Sequence, residues 1–206
     1  MAIGYVRPAR PGDAAEIARI QLATWRTAYR RFLPATVLND LDNGWMTERW
    51  REAIIAPPTS EHHVLVAIDQ VRNATATAEA ASAYPVGFAA IGPADDATLA
   101  PNETLVDLGQ AVGAVTELLV EPRWGRRGHG SRLLSACVDL WRSDQKGMAV
   151  SWAFFDDHAM RTFLETAGWA ADGGRRALDL DDLLVPQIRF HTSINYENTQ
   201  VHVTST

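Results

Sequence analysis

One cysteine, Cys137, stands in 206 residues, so no intrachain disulfide can form and the cross-linked framework of small secreted domains is excluded. A reducing, cytoplasmic compartment is the expectation. No stretch of about 18 apolar residues occurs, which argues against a membrane-spanning helix. The segment Met1 to Pro8 lacks a basic start running into a long apolar core, so no export signal is expected. Basic charge is also short: 19 Lys and Arg against 25 Asp and Glu leave a formal charge of −6. That balance disfavours nucleic acid and anionic membrane as partners, and it is compatible with an amine-bearing one. His62, His63, His158 and His191 have no Cys or carboxylate companions at zinc-ligand spacing, so no metal is expected. There is no internal repeat.

What is present is enough for one core. The chain is 47% hydrophobic, and its length is short for two independent domains. A single domain over residues 1–194 with a polar tail at 195–206 is expected. Ile3 to Arg7 reads as a strand, broken by Pro8 and Pro11. Asp13 and Glu16 have the spacing of a capping box, opening a helix with Ile17 and Ile20 inward. A second helical stretch runs from Pro34 through Leu38, Leu41, Trp45, Trp50 and Ile54 to Pro57-Pro58. Strands follow at Val64–Ile68, Val86–Ile91 and Ala114–Val120. The polar segments Gln70 to Tyr84 and Pro93 to Gln110 between them read as irregular rims or lids. Further on, Leu133, Leu134, Cys137, Val138 and Trp141 recur at helical spacing. Met148–Phe154 is a strand, Asp157–Ala167 a helix stopped by Gly168, and Ala170–Leu180 and Gln187–Ile194 are the last strands.

The chemistry concentrates between the strand ending at Val120 and the helix that follows. A helix N-terminus offers unpaired N–H groups and positive dipole potential, which suit an anion. Gly128 and Gly130 let the backbone curl closely, Arg126 and Arg127 add charge, and Ser131 adds a hydroxyl. A P-loop would need a Lys after a glycine here, and there is none. A dinucleotide fingerprint would need glycine at position 133, which is Leu133.

What remains, Val-x-Pro-x-Trp-x-x-Arg-Gly-x-Gly-x-x-Leu-Leu, closely resembles the acetyl-CoA signature of the GNAT (GCN5-related N-acetyltransferase) superfamily. The order of strands and helices from Ile3 to Ile194 is also similar to that of the superfamily, as are Arg7-Pro8-Ala9, Trp25 to Tyr29, and Phe163 to Trp169. The resemblance implies an α/β (α+β) fold with a mostly antiparallel sheet, splayed at its central strands and flanked by helices. It implies that Arg126, Arg127, Gly128, His129, Gly130 and Ser131 grip the CoA pyrophosphate, His129 through its main chain with its side chain pointing away. Leu118, Leu119 and Val120 would pair with the pantetheine arm, and Asp157 stands where the family often has an Asn beside it. Two positions depart from the pattern. Gly125 replaces the usual Gln or Arg, and Leu164 stands where many members carry the Tyr that protonates the leaving thiolate.

The implied reaction is transfer of acetyl from acetyl-CoA to a primary amine, on a small molecule or a protein lysine, by direct attack with Cys137 as a packing residue. An amine of pKa about 10.4 must lose a proton before it attacks, so a base is required. Glu117, on the strand expected to flank the thioester, is the candidate, against a plain solvated strand residue. Trp25 and Tyr29 share a helix face over the expected acceptor site, with Tyr29 the candidate acid in place of Leu164. Asp156-Asp157 suits helix capping, and Arg175-Arg176 with Asp179, Asp181 and Asp182 reads as a solvated edge strand without chemistry. The alternative function is a catalytically silent acyl-CoA-binding or regulatory module; a longer acyl donor is a third. Edge strands and the tail are candidate surfaces for a homodimer.

Overall fold

A computed structural model of the chain describes residues 4–71, 82–108, 111–181 and 183–194. Strands β1 (Tyr5–Pro8), β2 (His63–Val71), β3 (Ser82–Pro93), β4 (Val112–Val120), β5 (Met148–Phe154), β6 (Ala170–Leu180) and β7 (Leu183–Ser193) form one sheet in the order β1-β2-β3-β4-β5-β7-β6. Every neighbouring pair is antiparallel except β4 with β5, which is parallel. The helices are α1 (Ala14–Thr27), α2 (Ala35–Asn39), α3 (Asn43–Ile55), α4 (Leu105–Leu108), α5 (His129–Ser143) and α6 (His158–Thr166). None of these helices is long and apolar enough to cross a membrane.

Several expectations change in detail. The second helical stretch is two helices: α2 ends at Asn39 with Asp40 as its C-cap, and Asp42 caps α3 by accepting from the Trp45 N–H at 2.6 Å. Asp13 does not cap α1 with its side chain. Its carboxylate instead holds Arg7 in a two-pronged pair at 2.7 and 2.9 Å, while Glu16 binds Arg19. The hairpin strands reach further than their apolar runs, to Val71 and from Ser82, so Gln70 and Tyr84 belong to strands; the middle of that connection, 72–81, lies outside the described residues, as does the tail. The 93–110 segment is not loose where described. It holds a short turn of helix at Asp96–Thr98 and α4, and it is tied to the sheet: the Trp152 indole and Arg189 both donate to the Thr98 carbonyl.

Both faces of the sheet are covered. Helices α5 and α6 bury Leu133, Leu134, Cys137, Trp141 and Leu164 against Leu65, Val86, Leu118 and Phe190. On the other face α1 sets Ile17 and Ile20 on Val66, Phe88 and Leu119, with Trp50 of α3 edge-on to Phe88. The strand β4 serves both faces, and its pattern is interrupted. Gly113 and Val115 look toward α5, and so do Leu118 and Val120. A step of three residues between Val115 and Leu118 cannot keep one face in a regular strand of period two. The register confirms the extra residue: Val115 faces Ile91 and Glu117 faces the adjacent Ala90, leaving Thr116 as a β-bulge whose hydroxyl donates to the Ala90 carbonyl at 3.0 Å.

Gly113 lies under the Trp141 indole so closely that a Cβ there would sit 2.4 Å from Nε1. Trp141 is 1% exposed and cannot yield. Gly113→Ala should therefore cost about 1–3 kcal/mol, a fall in Tm of several degrees by calorimetry. Adding Trp141→Phe should give less than the summed loss; strict additivity of the two changes would contradict the contact.

Candidate active site

Pairing between β4 and β5 runs from Val112 with Met148 to Val115 with Ser151 and then ceases. The bulge at Thr116 follows at once, adding twist that turns β4 away from β5. From Thr116 to Val120 the strand keeps β3 on one side and has no strand partner on the other among the described residues. Backbone donors and acceptors along that margin are open to an extended ligand. The notch widens into a cavity of about 360 Å3.

Glu117, Leu118, Trp25, Tyr29 and Asp157 all line this cavity. The bulge brings Glu117 to the sheet face covered by α1, where Trp25 lies on the helix and Tyr29, expected on the same helix face, lies just past its end at Thr27. Burial pushes the Glu117 carboxyl up to about 7, against a smaller downward pull from the Trp25 indole N–H. Tyr29 bridges the notch: its ring meets Phe154 of β5 edge-on, centroids 5.2 Å apart. Burial, then the Glu117 and Asp157 carboxylates, drive its phenol well above the usual tyrosine range, so it stays protonated. Asp157 is buried and caps α6, accepting from the Met160 N–H at 3.1 Å. Its capping role and its place in the wall coexist. Leu164 is 2% exposed and packs in the core. Leu164 is not part of the cavity wall, which does carry the Tyr29 phenol.

The glycine turn lies at the far end of the open margin of β4. Pro122–Trp124 make one turn of 3-10 helix, Arg126 takes a left-handed φ of +62° and Gly128 one of +78°. Glycine suits the second; arginine in the first is an uncommon conformation held by its surroundings. No side chain caps α5. Its first internal hydrogen bond joins Arg132 N–H to Gly128 C=O at 3.0 Å, so the N–H groups of His129, Gly130 and Ser131 precede the ladder. Arg126 is exposed and without an ion pair among the described residues. Arg127 lies over the Trp124 ring at 4.8 Å, with Asp69 of β2 behind it at 4.0 Å.

His129 does more than fill the space between two glycines. Its side chain is 1% exposed, and Nε2 lies 3.0 Å from Asp69 Oδ2 while Nδ1 lies 3.1 Å from Arg132. Arginine can only donate, so Nδ1 accepts and Nε2 carries the hydrogen given to Asp69. Burial, reinforced by Arg132, holds the imidazole below the ordinary histidine range and therefore neutral. Arg132 also donates to the Arg127 carbonyl at 3.1 Å, closing a brace behind the turn. Glu121, buried at the exit of β4, is gripped by Arg19 of α1 and by Arg123. The sequence hinted at neither brace, since both join residues far apart in the chain.

The sequence pattern of the Acetyltransferase (GNAT) family matches residues 25–169. This chain belongs to that family. No curated protein matches it as a sequence. Among solved structures, yncA of Salmonella typhimurium, determined with its cofactor acetyl-CoA, superposes with a TM-score of 0.63 at 14% identity, covering 94% of this chain and 95% of that one. The acetyltransferase of GNAT family from Streptococcus pneumoniae gives 0.60 at 15%, covering 94% and 100%. The ribosomal-protein-S18-alanine N-acetyltransferase of Escherichia coli gives 0.55 at 11%, covering 97% and 99%. At such identities the likeness is one of fold. The GNAT fold here has its open margin on β4, its glycine turn opening α5, and its notch beside Glu117.

Removing the His129 side chain leaves the Asp69 carboxylate buried and short of a partner. His129→Ala should cost about 2–3 kcal/mol at neutral pH and loosen the turn, weakening CoA about tenfold by calorimetry. The folded imidazole has the lower pKa, so its contribution is present above the unfolded value of about 6.5 and is lost as pH falls. Denaturant unfolding should accordingly find the gap between wild type and variant shrinking on acidification; a constant gap would contradict the neutral assignment.

Proposed function

We propose that the chain transfers an acetyl group from acetyl-CoA to a primary amine by direct attack. The pyrophosphate would rest on the main-chain N–H groups at Gly128 to Ser131 with Arg126 and Arg127 supplying charge, and the pantetheine arm would pair along Leu118 to Val120. That would put the thioester beside Glu117; the reading rests chiefly on this buried carboxyl lining the cavity just past the point where β4 leaves β5. The acceptor ammonium first gives one proton to Glu117; its nitrogen then bonds the acyl carbon and sheds a second proton, which neutralises the departing thiolate. A main-chain N–H of the open β4 margin polarises the carbonyl, and the C–S bond breaks to release thiolate.

Magnitudes assign the roles. A base at about 7 taking a proton from an amine at about 10.4 works against roughly 4–5 kcal/mol, a gap narrowed because the cavity disfavours the ammonium form as well. The thiolate is a lesser problem, since a thiol of pKa about 8.5 is already a good leaving group. A phenol raised above its usual range is a weaker acid than that thiol. Tyr29 therefore acts by donating a hydrogen bond to the departing sulfur more than by handing over its proton. Cys137 is buried and its thiol is pushed up to about 12 by burial, which suits packing and not acyl transfer through the enzyme.

Two experiments follow. The double change Arg126→Ala with Arg127→Ala should weaken CoA binding by about 10–100-fold; unchanged affinity by calorimetry would sink the placement of the diphosphate. With a turned-over amine, kcat/KM should rise through about pH 7 and level off, a limb that Glu117→Gln abolishes while lowering the plateau by about a hundredfold. Tyr29→Phe should cost no more than about tenfold. Thiol release that keeps its limb near pH 7 in the Gln variant would exclude Glu117 as the base.

Glu117 also leaves a mark on folding that needs no substrate. Its folded pKa is raised above the ordinary 4.5 to about 7, so the stability present with the carboxyl protonated is lost as pH rises through 7. Glu117→Gln should match wild type in acid and exceed it in stability above about pH 8. Equal unfolding midpoints across that range would mean the carboxyl is not desolvated.

A further inference from the structure

The edge strand β6 was expected to be solvated and chemically silent at Arg175-Arg176, yet only one of the pair faces water. Alternation sends Arg175, Ala177 and Asp179 outward, and turns Arg176, Leu178 and Leu180 into the wall of the cavity that holds Glu117. Arg176 is fixed there. Its Nε donates to Gln187 Oε1 at 2.7 Å, a second N–H meets the Ala97 carbonyl, and the guanidinium lies over the Trp152 ring at 4.3 Å.

Its neighbour Arg189 shows what a satisfied buried arginine looks like in this fold. Arg189 is gripped by Glu103 at 2.5 and 2.8 Å and by Asp172 at 2.7 Å. Arg176 has no carboxylate within ion-pair distance among the described residues. The nearest acid in the wall, Asp95, is occupied by the Thr98 hydroxyl at 3.0 Å and acts on Arg176 only from a distance. Five N–H donors are available to a guanidinium and two are used. A half-buried cation with spare donors, held by neutral partners at the wall of a cavity, is suited to meet an anion that enters it. Burial and the repulsion of Arg189 act on it together.

We propose that Arg176 is the anchor for a carboxylate on the acceptor, so that the substrate is a small amino-acid-like molecule carrying an amine and a carboxylate. This rests on the acetyl-transfer reading, with Glu117 serving the amine and the Arg176 fork serving the acid. The apolar stretch of Leu33, Val37, Leu178 and Leu180 walls the same cavity and would take the substrate's side chain. A volume of about 360 Å3, shared with an acyl thioester, suits a small molecule and leaves little room for a protein segment. Polyamines and aminoglycosides lack the anion that Arg176 requires.

The test uses matched pairs: free amino acids with apolar or small side chains and the corresponding carboxamides, assayed for CoA release from acetyl-CoA. Wild type should favour the acids by at least about tenfold in kcat/KM. Arg176→Gln should erase that preference by raising KM for the acids and leaving the carboxamides unchanged, and Arg176→Lys should keep part of it. Equal turnover of both members by wild type, or an equal loss on both in Arg176→Gln, would overturn the proposal and make Arg176 a structural tie. Ligand-observed NMR with the same pairs on the CoA-loaded protein separates this idea from the reaction itself. Retention of the acids over the carboxamides, lost in Arg176→Gln, would support the anchor even if no amine is acetylated; equal retention would refute it even if one is.

Discussion

The single extra residue at Thr116 is the constraint on which the site depends. Without it β4 would continue beside β5, its margin would be paired, and Glu117 would share the α5 face with Val115. The bulge does three things at one point: it ends the parallel pairing after Val115 and Ser151, exposes main-chain donors, and moves a carboxylate to the side of α1. Parallel pairs are joined by crossovers that lie on the sheet faces, and here α5 is that crossover. The glycine turn and the notch thus lie at the two ends of the open margin of β4, Thr116 to Val120, within one β-α-β unit.

The turn itself solves a conflict. To leave N–H groups of α5 open to an anion, nothing in the chain may cap them, yet an uncapped and glycine-containing turn loses conformational order. Bracing comes from behind, through Arg132, neutral His129 and Asp69. A neutral imidazole is the right link, because it can accept from a cation and donate to an anion at once. A protonated ring would face Arg132 with a like charge.

Much of this was legible in the sequence, and the reasons are local. Strand β5, the apolar face of α5 and the Gly128/Gly130 turn are written in contiguous residues whose periodicity or spacing has one reading. Glu117, Tyr29, Trp25 and Asp157 could be named from a family pattern and do share one cavity. The bulge was not readable, since Thr116 in a run of strand formers looks like any other. Asp69 and Arg176 were missed for a different cause. A charged residue in an alternating strand is assigned to solvent by default, and only the neighbours across the sheet reveal that Asp69 backs onto His129 and that Arg176 backs onto Trp152. The Asp13-Glu16 pair misled in the opposite way: the capping pattern was there, but Arg7 offered the carboxylate a stronger partner than a helix N–H.

One physical cause acts on two of the charged groups lining the cavity, Glu117 and Arg176. Burial raises the Glu117 carboxyl toward neutrality and acts against the Arg176 cation, because removal from water penalises charge of either sign. The two groups differ in how they can respond. A carboxyl can take up a proton, and burial raises that of Glu117 to about 7. A guanidinium cannot give one up, and can lower its free energy only by gaining partners. Gln187, Ala97 and Trp152 supply part of what water would have given, but all of them are neutral. Of these two groups one can adjust its charge and the other cannot, and the acceptor recognition proposed above rests on that difference.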